Sequence, residues 1–188
     1  MQATDVSAFW FGDPPSAQAR GEWFRQDAAF DAQVLQRFGA TLGLALDGGL
    51  LQWDAEPAGA LARIVVLDQF TRNAFRGTAQ AFAGDPLALA AARELVRRGG
   101  DRLLPPLQRW FAYLPFEHAE DLGAQAQSVV LFTALAAEHP AAEEARIWAV
   151  KHHDVVQRFG RYPHRNAVLG RVSTAEEDAF LREPGSSF

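Results

Sequence analysis

Apolar residues recur along much of this chain at steps of three and four, the spacing that lines one face of an α-helix. Phe30, Val34, Leu35, Phe38, Leu42 and Ala45 predict a helix to Leu46, ended by Asp47-Gly48-Gly49, where glycine takes the left-handed C-terminal conformation. Pro57 opens another at a first-turn position, and Leu61, Ile64, Val65, Leu67 and Asp68 carry it to Arg72. Its middle is apolar nearly all round, which predicts the central, buried helix. Asp85-Pro86 reads as an N-cap and first-turn proline of a helix to Arg98, stopped by Gly99-Gly100. A shorter helix over Pro105 to Tyr113 follows. One or two more lie in Glu117 to Ala137, with Val129, Phe132, Leu135 and Ala136 facing inward, and a long one runs from Ala141 to Phe159, ended by Gly160. Thr174 with Glu177 three residues on is a capping box for a last helix through Leu181. Ser7 to Phe11 is a helical turn ended by Gly12-Asp13-Pro14-Pro15, and the tail from Glu183 to Phe188 is expected to be loose.

No run alternates as a strand would. The prediction is an all-α fold of antiparallel helical hairpins joined by short loops, one domain over residues 1–188, with no linker and no repeat at a tetratricopeptide period. Composition narrows the function classes. The 188 residues, 48% hydrophobic and 22% charged, suffice for a globular core. A net charge of -5 gives no electrostatic footprint for nucleic acid. The apolar runs Ile64–Leu67 and Val129–Phe132 are far too short to span a bilayer, so no membrane partner is expected. With no cysteine, and no charged n-region ahead of an apolar stretch at the N-terminus, the expectation is a cytoplasmic protein. Lys151 is the single lysine, so positive charge is carried by arginine, whose planar fork suits carboxylates and phosphates.

Chemistry gathers in three places. The first is the turn Phe159-Gly160-Arg161-Tyr162-Pro163-His164-Arg165-Asn166, which follows a helix carrying Lys151, His152, His153 and Asp154. Two guanidiniums, an imidazole and an amide there are donors suited to an anion; equally, they could cap helix ends and pair with buried acids such as Asp68. His152 shares an apolar face with Trp148, Val155, Val156 and Phe159, and is either a satisfied core histidine or a site residue aimed across the core. His153 is expected in solvent. The second place is Glu117-His118-Ala119-Glu120-Asp121, where Pro115 is expected to open a helix. That would set the acids in a first turn, or make His118 a general base oriented by Glu117 or Asp121. The third is Asp68-Gln69-Phe70-Thr71-Arg72-Asn73, with Asp68 and Arg72 one turn apart and Arg76 extending a positive wall. Zinc-type spacing, phosphate loops and nucleophile elbows are absent, so no metal or cofactor is expected.

These same stretches carry a family resemblance. Leu67 to Asn73 with Phe75-Arg76-Gly77-Thr78, Leu114 to Asp121, and His152 through Asn166 to Arg171, Ser173-Thr174 and Glu176-Glu177 resemble the bacterial family catalogued as domain of unknown function 924. Phe9-Trp10-Phe11 and Trp23-Phe24 also fit. Tyr162, Phe116 and Ala119 depart from the family's usual phenylalanine, leucine and serine, without removing a charged or imidazole group. The resemblance implies a tetratricopeptide-like α superhelix and implies no activity.

Three readings follow. One is a binding module whose Arg72, Arg76, Arg161, His164, Arg165 and Asn166 hold an anionic small molecule or a peptide carboxylate, with Asp68, Asn73 and Glu117 around the same site. Another is a hydrolase or transferase using His118 or His152 as acid/base, with His164 as a third candidate. The last is a scaffold knitted by these polar residues. Under the first two, at least two of the three histidines approach each other across the core. Arg165 is expected to pair with Asp68 or an acid of the Glu117–Asp121 run, and Arg161 to be spare for an anion. Oligomeric state is not legible.

Overall fold

The computed structural model describes residues 1–16, 18–23 and 25–186; Phe24, and the tail's Ser187 and Phe188, lie outside the described residues. Every element described is helical. α1 (Ala3–Phe11) and α2 (Ala28–Leu46) bring Phe9, Trp10, Phe11, Phe30 and Phe38 into one aromatic cluster with Trp23, Phe70 and Phe111. Ring centroids there lie 4.7–6.0 Å apart, within the range of favourable aromatic pairs. α2 starts on Asp27, whose carboxylate accepts from the amides of Ala29 and Phe30.

α3 (Pro57–Val65) is the central helix, buried on all sides from Gly59 onward and packed against α1, against α5 (Asp85–Arg97) and against α6 (Pro106–His118). The predicted continuation to Arg72 is present but not as α-helix. A π-helical turn over Val66–Phe70, buried throughout, leads into α4 (Thr71–Ala74). Two expectations are corrected nearby. Asp85 is the first residue of α5 and does not cap it; Gly84 stands at the cap, because its Cα lies so near the Leu67 carbonyl oxygen that a Cβ would sit 2.0 Å from it. Pro115 does not open a helix. It lies inside α6, which runs through it to His118, because Phe111, Ala112, Tyr113, Leu114 and Phe116 are all buried and hold the helix in register.

α7 (Leu122–Glu138) and α8 (Glu143–Phe159) form a tight hairpin that also packs on α6. Phe132 and Leu135 are buried, Val129 and Ala136 half-buried. Gly160, at φ 70°, ends α8, and Thr174 and Glu177 make the reciprocal capping box of α9 (Ala175–Phe180). The architecture is all-helical as predicted. Helix lengths from four to nineteen residues do not by themselves define a tetratricopeptide superhelix.

Candidate functional site

The π turn is where the polar site begins. A π turn inserts a residue into the helical register and is frequent at functional sites. Here it carries Asp68, 1% exposed, across to the end of α6, where Asp68 Oδ1 lies 2.7 Å from His118 Nδ1. Gln69 Nε2 donates to Asp68 Oδ2 at 2.6 Å, and Arg72 stands one turn on with Nη1 3.3 Å from Oδ1. Burial would push the Asp68 carboxyl up. The charge of Arg72, that of His118 at the low pH where both are protonated, and the bonds from His118 and Gln69 reverse that and hold it well below the usual carboxylate range. An ionised Asp68 must accept, so His118 carries its proton on Nδ1 and keeps Nε2 as the basic atom. His118 retains 15% side-chain exposure. Burial and then Arg72 lower its pKa, opposed by Asp68, so the imidazole is neutral at pH 7.

The orienting acid is therefore Asp68, neither of the two expected from sequence. Asp121 caps α7, accepting from Ala124 N at 2.7 Å. Glu117 turns away from His118 into the core, with Oε1 3.3 Å from His152 Nδ1. His152, 6% exposed, also has Nδ1 2.9 Å from the Trp148 carbonyl, an acceptor only, so that nitrogen bears the hydrogen. Burial first, then the fields of His118, Arg165 and His164, lower the His152 pKa to about 3. The rings of His118 and His152 meet at 6.5 Å between centroids. Tyr162 follows at 5.6 Å from His152, and His164 at 5.5 Å from Tyr162. Burial and then Arg165 lower the His164 pKa to about 4. Tyr162 donates its hydroxyl to the Glu117 carbonyl and accepts from Gln125 at 2.6 Å. His153, expected in solvent, is only partly exposed, with Nδ1 3.4 Å from Asp154 Oδ1.

The arginines divide into two groups. Arg72 forks onto Asp85 at 2.8 and 3.1 Å, and Arg165 reaches the same carboxylate at 3.0 Å. This corrects the expected pairing of Arg165 with Asp68 or an acid of the Glu117–Asp121 run. The first of those is occupied by Arg72, and Glu120 is taken by Arg171 at 2.6 and 2.8 Å. Arg165 is stacked over Phe82 and Tyr162, 4.5 and 4.7 Å from their ring centroids. The bond to Asp85 is the one hydrogen bond of its guanidinium among the described residues, out of five N–H donors. The other group is spent elsewhere. Arg76 and Asn73 both bind Asp31, at 2.7–2.9 Å, and do not extend the wall. Arg161, expected to be spare, forks onto the buried Glu177 at 2.6 and 2.8 Å and reaches the Val172 carbonyl. Asn166 is buried between Ser173 and Arg171.

Asp85, Phe82, Gln125 and Tyr162 were missed as site residues. Gln125 had a signal: with Ser128 it interrupts the inward face of α7 that continues as Phe132 and Leu135. Asp85 had none, because its use as a shared counter-ion depends on contacts 13 and 80 residues away. Among the described residues no three His, Asp or Glu side chains converge with the geometry of a metal site. One surface depression, lined by Asp54, Pro57, Ala60, Leu95 and Arg98 among others, shares no residue with the histidine cluster.

Comparisons with known proteins agree with this geometry in giving a fold without an assigned activity. The model of a family described as bacterial protein of unknown function (DUF924) matches residues 6–185. A solved structure titled as a protein of unknown function, ATU0120, from Agrobacterium tumefaciens is 40% identical, with a TM-score of 0.84 over 96% of each chain. A comparison with curated proteins gave no match.

Proposed function

The chain belongs to this bacterial family of unknown function, and we propose, from the geometry of its site, that it is an acid–base catalyst, a hydrolase or transferase, for a small anionic substrate. His118 transfers the proton, Asp68 orients it and Arg165 contacts the anionic group. The observation that carries the reading is the 2.7 Å contact between His118 Nδ1 and a fully buried, ionised Asp68, with the imidazole still partly exposed. A general base needs a fixed tautomer and a group that stabilises the imidazolium, and this pair supplies both. The four charges of Asp68, Arg72, Asp85 and Arg165 cancel, so bulk positive charge does not draw the ligand in. The spare N–H donors of Arg165 do the recognising.

Those donors also favour a second reading, a binding module for a small anion or peptide carboxylate without turnover. We place either activity in the cytoplasm, away from nucleic acid, on composition: no cysteine, and a net charge of -5. No helix among the described residues is long and apolar enough to cross a membrane.

The test is a turnover screen with p-nitrophenyl acetate and p-nitrophenyl phosphate, beside thermal melts in inorganic phosphate and citrate. The expected result is turnover of one ester, reduced about 10²–10⁴-fold in His118→Asn at unchanged circular dichroism. A rise in Tm with either anion but no turnover selects the binding module. Neither turnover nor a Tm response overturns both readings.

A further inference from the structure

Two carboxyl groups lie in direct contact with histidines of the cluster, Asp68 with His118 and Glu117 with His152, and the structure treats them oppositely. Asp68 has three partners: His118, Gln69 and Arg72. Glu117 is 4% exposed, and its Oε2 is fully buried with no hydrogen-bond partner among the described residues. Its other oxygen faces His152 Nδ1 at 3.3 Å, a hydrogen already directed at the Trp148 carbonyl. Among the described residues no arginine or lysine pairs with Glu117. The groups around it are His152 from α8, Asp68 from the π turn, Tyr162 from the turn after α8, and its own neighbour His118. An ionised carboxylate in that setting would be buried, unpaired and within the field of another negative charge, the most costly arrangement a carboxyl can meet.

We propose that Glu117 is a carboxylic acid in the folded protein, and that it acts as a positioning residue, its uncharged carboxyl backing His152 in the neutral Nδ1–H tautomer against His118. The inference rests on the acid–base reading of His118 and adds the protonation pattern around it. One carboxyl is ionised and makes His118 a base; the other keeps its proton, so that Glu117 adds no negative charge beside His118 to those of Asp68 and Asp85, and no charged His152 repels it. Carboxyls whose surroundings drive them apart in this way mark the acid and base sides of a site. Burial, then the charge of Asp68, push Glu117 up to about 8, in agreement with the geometry.

The experiment is infrared spectroscopy of the whole protein labelled with [13C]glutamate, with NMR titration of His118. In wild type one protonated glutamate carbonyl band is expected at pH 7, ionising near pH 8. Glu117→Gln removes the band and leaves the His118 titration superimposable on wild type, because one neutral group replaces another. Asp68→Asn moves the ionisation of Glu117 to lower pH and lowers the pKa of His118, a coupling that a merely structural glutamate would not show. Absence of any protonated glutamate band in folded wild type at pH 7 overturns the proposal, and that result needs no variant to fold. A His118 titration shifted downward in Glu117→Gln also overturns it. Both readouts are independent of turnover and of anion binding, so failure here is distinguishable from failure of the functional reading.

Discussion

Arg161 and Arg165 flank the same proline-stiffened turn, yet the fold uses them differently. Arg161 completes a fork with Glu177, which burial would push up but which the Arg161 bonds, above all, bring down to about 2. Arg161→Ala is therefore expected to lower Tm by several degrees, equally with and without phosphate, because α9 loses the partner of its capping glutamate. Arg165, its side chain 8% exposed, holds one carboxylate and has further N–H donors. Arg165→Lys keeps the charge and gives up the planar fork, and is expected to lose the phosphate-dependent rise in Tm. Thermal melts of both variants, with and without phosphate, check the pair. A phosphate response lost in Arg161→Ala and kept in Arg165→Lys would reverse the assignment. Sequence alone ranked the two arginines the other way, since their partners lie 16 and 80 residues off and neither distance leaves a local pattern.

At the scale of elements, the π turn and the start of α5 form one device. Gly84 presses on the Leu67 carbonyl within the π turn, and this close approach delivers Asp85 to Arg72 and Arg165. Gly84→Ala must move α5 outward and stretch both ion pairs. It is expected to lower Tm and to shift the His118 resonances through Asp85, Arg72 and Asp68. An alanine variant with unchanged Tm and His118 resonances would show the contact to be slack. The elements themselves were largely legible. The Thr174–Glu177 box, the Gly160 stop and the buried helix after Pro57 follow from local chemistry that tertiary packing did not oppose. The π turn was not legible, because in a segment buried on every side an apolar run carries no phase that separates 3.6 residues per turn from a wider coil. Pro115 misled for a related reason: its local preference to start a helix is outweighed by the burial of the residues on either side.

At the scale of the molecule, the buried cluster sets how stability depends on pH. Unfolding frees His152 and His164, held near 3 and 4, to bind protons below about 6.5, so their contribution is complete above that pH and is lost as pH falls toward 4. Glu117 acts in the opposite sense. Between about 4.3, where an unfolded glutamate titrates, and about 8, the folded protein holds one proton more, so the stability it contributes declines as pH rises across that window. His118, whose pKa is lowered too, acts in the same sense as these two, and three histidines against one glutamate make stability climb to a maximum near pH 6.5 and decline toward pH 8. Urea unfolding at pH 5, 6.5 and 8 should show that dome, and Glu117→Gln should remove its alkaline side; equal stability of wild type at pH 6.5 and 8 would contradict it. The all-helical class could be read from periodicity. The convergence of α6, α8, the π turn and the 160–166 turn on one cluster could not, since it depends on how the helices pack. His118 is the centre of the site, and 15N–1H correlation NMR of its ring reads both its tautomer and its contact with an anion. The prediction is a neutral imidazole at pH 7 protonated on Nδ1 against Asp68, with a bare Nε2 whose resonance moves when inorganic phosphate is added. An Nε2–H tautomer, or an Nε2 indifferent to phosphate, would contradict it.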